Sequence, residues 1–369
     1  MTTVYSSSLV LLCILGLITG SGRAATLPAP SPESRPGWVS ALAIGQWYEI
    51  PNSAMRGADL PNPPRGAHNK VNAWNSFVAD PRTSKVYSVA TGGHNDYSGN
   101  EVDMLEMERE DPRWTELLAR SATTRDAEYY ADGRPASRHT YYGVTFDPWN
   151  DRVMLFGGAR FQIGAFSLNI DSYNLITNSY SPQGTHPKSQ PALKGTQAVA
   201  FDPNTGDVYL AQDSVLGRWN RSTNTVETLE PRGSGAWGGE AASAFDTARG
   251  RILFAGGHLK DHHYYTPSRN TWTAITFTGA NASTMTNGQM GMFYVPGLDR
   301  FVVRTAPAGG AVYQINPSTF EVTTLPTTGG AAIPSTLNGP YNKFLYLPRL
   351  GGAVYVPTYE GNAWFLRLH

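Results

Sequence analysis

The chain has 369 residues, with 29 basic and 29 acidic side chains and a formal net charge of zero. Without a basic surplus, nothing electrostatic favours nucleic acid or an anionic membrane surface as a partner. Charged residues make up 16% of the chain, while 38 Gly and 26 Pro supply turns for many short strands. The composition therefore predicts a folded, turn-rich chain.

The N-terminal region carries an apolar run, "LVLLCILGLITG" (residues 9–20), that is too short to span a membrane comfortably. Small residues typical of a signal-peptidase site, "SGRAA", follow it. We predict a signal peptide over residues 1–25, a Pro/Ser linker over 26–37 and one domain over 38–369. Cys13, the single cysteine, lies in the run, so the exported chain would contain no thiol or disulfide. The expected location is secreted or periplasmic, without membrane attachment after signal removal.

Six strand-turn-strand segments recur along the chain: "FVADPRTSKVYSV", "VTFDPWNDRVMLF", "VAFDPNTGDVYLA", "SAFDTARGRILFA", "MFYVPGLDRFVVR" and "FLYLPRLGGAVYV". Each has the signature of a β-hairpin. Their turn positions are Asp80, Asp147, Asp202, Asp246, Val295 and Leu347. These positions are 67, 55, 44, 49 and 52 residues apart. A period near 45 to 50 residues with about four strands per unit is typical of propeller blades. The sequence predicts six of them.

Three of these segments continue into Gly-Gly. The segment "ILFAGGHLKDHHYYTPSRNTW" has a Tyr and a Trp downstream, "VATGGHNDY" is followed by Trp114, and "VMLFGGARF" has the glycines alone. They resemble the kelch repeat. The resemblance covers most of the chain from residue 70 onward and implies a kelch-like propeller. Kelch propellers include enzymes, sugar binders and adaptors, so the resemblance implies a fold and no single function.

The ring also needs closure. The last segment offers three clear strands, whereas "GQWYEIP" (residues 45–51) is an isolated strand near the other end. If this strand, with Trp47, docks as the outer strand of the last blade, two exposed edges disappear. The predicted fold class is all-β: a kelch-like β-propeller with six blades, closed by an N-terminal strand.

This topology brings the start of each inner strand and the exit of each second strand to one face, here called the upper face. The polar side chains that we expect there are His94, His139, Arg160, His258, Asn72 and Lys194. In "SRHTYYG", Arg138, His139 and Tyr142 begin an inner strand where small or apolar residues would suffice, which favours a functional role. Because His139 and Tyr142 are three apart on an extended strand, they should point to opposite sides. We expect His139 at the rim and Tyr142 between blades.

Structural explanations compete with functional ones at several positions. The Gly-Gly pairs suit positive φ at a strand exit, and Asp147, Asp202 and Asp246 at the turns suit capping of local amides. His94 with Asn95 and Asp96 forms either a self-satisfied polar turn or a ligand contact. His258, His262 and His263 lie on a predicted loop that has no helical face to converge them, so a structural role is favoured over a metal site.

The residue types expected at the upper face limit which enzyme activities are possible. A galactose-oxidase site requires a Cys linked to Tyr, which the mature chain lacks. Glycoside hydrolysis needs two facing carboxylates, and Asp96, Glu101, Asp126 and Glu240 form no evident pair. His, Tyr and Arg together suit β-elimination on a uronate, where a cation neutralises the carboxylate and His or Tyr moves protons. In architecture and residue type the chain is similar to secreted propeller polysaccharide lyases such as the ulvan lyases.

The resulting prediction is a polysaccharide lyase that needs no cofactor or metal and acts as a monomer on an anionic polysaccharide or other glycan. Its predicted catalytic residues are His139, Tyr142, His94 and Arg160, with Arg160 as the carboxylate clamp. Its predicted substrate-binding residues are Arg138, Asn95, Tyr97, Asn72, Lys194 and His258. The alternative is a non-catalytic kelch propeller that binds glycan or protein at the same face.

Overall fold

The computed structural model describes residues 35–122, 125–189, 193, 195, 198–212, 215–229, 231, 240–257, 261–286 and 288–369. The predicted signal peptide and most of the predicted linker lie outside these residues. Within the described ranges, no helix is long and apolar enough to cross a membrane.

Six four-stranded antiparallel sheets form the fold, and the innermost strand of each sheet contacts those of its two neighbours in a closed ring. The predicted all-β, six-bladed propeller is therefore confirmed. From the axis outward, blade 1 contains β2 (Val78–Asp80), β3 (Lys85–Val89), β4 (Val102–Glu106) and β5 (Trp114–Leu118). Blade 2 contains β7 (Val144–Asp147), β8 (Arg152–Phe156), β10 (Ile170–Asn174) and β11 (Ser179–Tyr180). Blade 3 contains β12 (Ala198–Phe201), β13 (Val208–Gln212), β14 (Val215–Asn220) and β15 (Thr225–Thr228).

The other half of the ring repeats this order. Blade 4 contains β16 (Ala242–Asp246), β17 (Arg251–Ala255), β18 (His262–Thr266) and β19 (Thr271–Ile275). Blade 5 contains β20 (Gly291–Val295), β21 (Arg300–Arg304), β22 (Val312–Ile315) and β23 (Val322–Leu325). Blade 6 contains β24 (Phe344–Leu347), β25 (Gly352–Tyr355), β26 (Trp364–Arg367) and β1 (Trp47–Glu49). A separate two-stranded ribbon pairs β6 (Arg138–His139) with β9 (Ala159–Arg160).

Short helices lie in the connections. The α-helices are α1 (Gly37–Ser40) and α2 (Asn69–Asn72). The 3₁₀ helices are Met55–Asp59, Pro267–Arg269, Ala282–Met285, Tyr341–Lys343 and Pro348–Leu350. Because α1 begins at Gly37, the predicted linker ends inside a helix.

The N-terminal strand closes the ring as predicted. β1 pairs antiparallel with β26, with Trp47 opposite Leu366. The Trp47 side chain is 2% exposed, and its Nε1 donates a hydrogen bond to Gly310 O of blade 5 at 3.0 Å. Both edges that an open ring would present are thereby covered.

Aspartates build the lower hairpin turns. Asp80, Asp147, Asp202 and Asp246 each accept a hydrogen bond from the amide two residues later, at 2.9, 3.1, 2.9 and 3.1 Å. This is the turn chemistry that the sequence predicts for Asp147, Asp202 and Asp246, and Asp80 has it too. The second strands β8 and β17 are buried at every position after the first, because neighbouring blades cover both faces of each sheet.

Candidate functional site

The ribbon of β6 and β9 lies on the upper face and positions His139. Arg138 pairs with Arg160, and His139 pairs with Ala159. The strand exit at Gly93 packs directly on this ribbon, since a Cβ at Gly93 would lie 1.9 Å from His139 N. Gly93 has φ of 72°, which a glycine adopts without strain. The residues after Gly93 are therefore brought against His139.

A carboxylate–imidazole pair results. His139 Nε2 lies 2.6 Å from Asp96 Oδ2. The His139 side chain is 3% exposed and that of Asp96 is 32% exposed. Burial lowers the pKa of His139 to about 4, although Asp96 opposes the shift. The imidazole is therefore neutral at pH 7, and because a carboxylate only accepts, Nε2 carries the proton and Nδ1 is left as an acceptor.

Aromatic rings surround this imidazole. The ring of Trp74 is 5.1 Å from that of His139, the ring of His94 is 5.7 Å away, and the ring of Tyr141 meets it edge-on at 5.9 Å. His94 is exposed and Trp74 is half-buried. Together with Asp96, these residues define the Asp–His site.

Tyr141 sits in this site in an unusual conformation. Its φ is 47° and that of His94 is 44°, in the left-handed region that bulky side chains rarely occupy. Such strain concentrates at functional sites. Burial raises the pKa of Tyr141 well above its ordinary value, and Glu240 and Asp96 add to the shift. Its hydroxyl therefore stays protonated at neutral pH.

Tyr142 closes the axis instead of facing a ligand. It is 1% exposed. Its hydroxyl donates to Met290 O at 2.7 Å and accepts from Met290 N at 3.2 Å. Met290 precedes the inner strand of blade 5, opposite blade 2, and the Tyr341 ring packs on Tyr142 at 4.9 Å. In this arrangement Tyr142 has no access for the predicted proton transfer.

The predicted alternation of His139 and Tyr142 on one strand is wrong. β6 ends at His139, and the inner strand of blade 2 begins only at Val144. Between them Gly143 N donates to Thr140 O at 2.7 Å, which makes a turn. Both side chains are consequently buried, His139 beside Asp96 and Tyr142 on the axis.

Arg160 lies opposite Arg138 on the ribbon and already has acidic neighbours. Its side chain is 14% exposed, 3.5 Å from Asp126 Oδ1 and 3.4 Å from Glu128 Oε1. Its Nε donates to Ala165 O at 3.3 Å. Any substrate carboxylate must compete with these groups.

Arg138 is not presented to a ligand. Its side chain is 1% exposed and donates to Asp171 Oδ2 and to Gly157 O, each at 3.0 Å. This places Arg138 in the interior of blade 2, where it is fully engaged.

The remaining predicted binding residues lie in different surroundings. Asn95 is exposed next to the site. Tyr97 is 2% exposed and donates to Glu101 Oε1 at 2.7 Å, so it is not available for the predicted binding. The Asn72 side chain accepts from Tyr359 N at 3.3 Å. Lys194 and His258 lie outside the described residues.

The site depends on residues that the sequence prediction did not assign: Asp96, Trp74 and Tyr141. Tyr141 is adjacent to the predicted Tyr142, so the tandem tyrosines in "TYY" were the sequence feature that could have indicated Tyr141 as a site residue. Asp96 had no recognisable partner, because His139 is 43 residues away in the chain.

The described residues hold no group of three or more His, Cys, Asp or Glu arranged to bind a metal ion. His262 and His263 are consecutive on β18 and so face opposite sides of that strand, with His262 beside Phe277 and His263 beside Trp272. The two imidazoles therefore do not converge.

Fold and site together define a six-bladed β-propeller with a carboxylate–imidazole pair on its upper face. No protein-family model matches the chain, and no curated protein matches it significantly. Among solved structures, it is similar to a structural genomics protein of unknown function from Bacteroides thetaiotaomicron, with 15% identity and a TM-score of 0.50 over 79% of this chain and 69% of the other. It is also similar to YjhT, with 13% identity and a TM-score of 0.52 over 79% and 92%. At these identities the similarity shows the fold alone.

Proposed function

We propose that this protein is a secreted, carbohydrate-active propeller that cleaves a uronate-containing polysaccharide by β-elimination at the Asp–His site. The observation that carries the proposal is the bond between the buried His139 imidazole and the partly exposed Asp96 carboxylate, with the Tyr141 ring edge-on to the imidazole at 5.9 Å. A neutral imidazole beside a protonated phenol supplies one base and one acid. The resemblance to propeller lyases expected from the sequence is a further reason for choosing this chemistry.

His139 acts as the base in this proposal. Its Nδ1, which accepts no hydrogen bond from the described part of the chain, takes the proton from C5 of the uronate. The electron pair of that C–H bond forms the C4–C5 double bond, and the C4–O bond breaks. The Asp96 carboxylate stabilises the imidazolium as it forms, as in other carboxylate–histidine pairs.

Tyr141 acts as the acid. Its hydroxyl proton passes to the departing glycosidic oxygen, and the proton held by His139 returns to the phenolate through water. Tyr141 replaces Tyr142, whose hydroxyl is engaged with Met290.

The uronate carboxylate must be neutralised for C5 to lose its proton. His94, exposed and 5.7 Å from His139 between ring centres, is placed to contact it. Arg160 follows Ala159, the ribbon partner of His139, and offers a planar cationic fork for which the substrate carboxylate competes with Asp126 and Glu128.

The test is incubation with a panel of uronic-acid polymers while ultraviolet absorbance reports the unsaturated product. His139→Gln should lower kcat by about 100-fold or more, as for loss of a general base. His186→Gln is the control, because His186 is also buried but bonds Ser172 and Asn224 in blade 2 and blade 3. Wild-type turnover should persist on the acid side until the pH nears the His139 pKa of about 4.

A second candidate is a non-catalytic glycan-binding propeller. The half-buried Trp74 ring beside His139 favours it, because sugar rings pack on exposed aromatic faces. Binding of a polymer without any unsaturated product, or unchanged turnover in His139→Gln, would overturn the lyase proposal in favour of this one.

A further inference from the structure

A buried cluster of charges lies directly behind the Asp–His site. Lys70, on α2, is 1% exposed, and its Nζ lies 2.8 Å from Asp59 Oδ2, 3.0 Å from Asp103 Oδ2 and 3.3 Å from Glu101 Oε1. Three carboxylates around one ammonium group leave an excess of negative charge in a medium of low dielectric constant. Such clusters add little to stability compared with apolar packing. This cluster also lies next to Asp96, because Tyr97, which bonds Glu101, directly follows Asp96 in the chain.

Two tyrosines complete the cluster in matching ways. Tyr97 donates to Glu101 Oε1 at 2.7 Å, and Tyr359 donates to Asp59 Oδ2 at 2.6 Å. Each tyrosine is 2% exposed. Only Tyr97 is adjacent to Asp96: it directly follows Asp96 in the chain, whereas Tyr359 belongs to the loop after β25 in blade 6.

The segment that carries Lys70 also contacts Asp96 itself. Asn69 Nδ2 donates to Asp96 O at 3.3 Å. Gly66 packs on the same carbonyl, since a Cβ there would lie 2.6 Å from Asp96 O. The backbone of Asp96 is therefore held on both sides, by α2 and through Tyr97.

We propose that Tyr97 and Asn69 are positioning residues that keep the Asp96 carboxylate on His139, an inference that rests on the proposed role of His139 as base. The Asp96 side chain is 32% exposed, so water competes for its oxygens. A fixed backbone at Asp96 favours the position in which the carboxylate lies 2.6 Å from the buried imidazole. The cluster supplies this restraint from the interior.

The test compares Tyr97→Phe with Tyr359→Phe. Each change removes one hydroxyl from one carboxylate of the same cluster, so general effects on the cluster are matched. The readout is the His139 Nε2 proton in the NMR spectrum, which in the wild type should appear at low field and exchange slowly because it is bonded to Asp96. Tyr97→Phe should weaken or abolish this signal, and Tyr359→Phe should retain it. Retention in both variants, or loss in both, would overturn the positioning role.

Turnover provides a second readout. Tyr97→Phe should lower kcat about tenfold with KM unchanged, the scale of one lost hydrogen bond to a charged group, and Tyr359→Phe should leave both unchanged. If the wild type eliminates no uronate polymer while the NMR difference persists, the lyase function fails and the positioning of Asp96 stands.

A further variant keeps the inference testable if Tyr97→Phe does not fold. Asn69→Ser removes the contact to Asp96 O and leaves every hydroxyl and charge of the cluster in place. It should also weaken the His139 Nε2 proton signal. An undiminished signal in folded Asn69→Ser would count against the proposal.

Discussion

The side chain of Lys343 ends in the protein interior beneath the Asp–His site. Its Nζ donates to Val71 O at 3.0 Å and to Ala73 O at 3.5 Å, and it lies 5.4 Å from the centre of the Tyr341 ring. No carboxylate among the described residues forms an ion pair with it. Burial lowers the pKa of Lys343 from 10.5 to about 7.

This shift predicts a pH-dependent stability. Between pH 7 and the ordinary lysine pKa, the unfolded chain binds a proton that the folded chain lacks, so the free energy of unfolding should rise with pH in this window. The rise is up to about 1.4 kcal/mol per pH unit. Lys343→Met should remove this contribution, measured by urea unfolding from neutral to alkaline pH. Lys85→Met, at a side chain 32% exposed, is the control and should leave the slope unchanged.

Arginines join the hairpin turns of adjacent blades at the lower face. Arg249, in the turn of blade 4, lies with Nη1 2.8 Å from Asp299 Oδ1 and Nη2 2.9 Å from Asp299 Oδ2 in the turn of blade 5. These bonds lower the pKa of Asp299 well below its usual range. Arg82 similarly links Asp80 of blade 1 to Asp151 of blade 2. The turns therefore connect neighbouring elements as well as reversing the chain.

A double-mutant cycle with Arg249→Met and Asp299→Asn should give a coupling of about 0.5 to 1 kcal/mol, since the side chains are partly exposed and water screens the pair. The coupling should be present above the ordinary Asp pKa and disappear as the pH falls through the lowered one. Arg113 and Asp111, 58% and 55% exposed within one turn, form the control pair and should show almost no coupling. Equal coupling energies for Arg249–Asp299 and Arg113–Asp111 would show that the ion pair between the turns does not stabilise the contact between blades.

The whole molecule depends on the strand that closes the ring. Trp47 points into the space between blades 5 and 6, packing near Phe344 and Tyr355. Tyr48 points to the other side of the strand, where it is half-buried and stacks on Trp38 at 5.6 Å. Because the two residues are neighbours on β1 but face different sides, substituting each in turn compares the contribution of ring closure to stability with that of ordinary side-chain packing.

Trp47→Ala should lower the free energy of unfolding by about 3 to 5 kcal/mol, because it removes a buried aromatic ring at the closure. Tyr48→Ala should cost about 1 kcal/mol, as is usual for partly exposed positions. Chemical denaturation of both variants measures the difference. Similar losses would indicate that β1 contributes packing alone and does not control ring closure.

The sequence by itself was sufficient for the architecture, because its determinants are local. Each blade is built on a hairpin whose apolar strands and turn lie within about 15 residues of one another. The aspartates at Asp80, Asp147 and Asp246 bond amides two residues away. Closure was also predictable, since β1 was the isolated strand and the last blade lacked one.

Only the tertiary structure decided the site. The Asp96–His139 bond joins residues 43 apart, and the bond from Tyr142 to Met290 spans 148 residues and crosses the axis. The left-handed conformation of Tyr141 breaks the strand periodicity on which the prediction for Tyr142 depended. Whether a polar side chain meets a ligand or an internal partner depends on such long-range neighbours, and a strand pattern reports only on near ones.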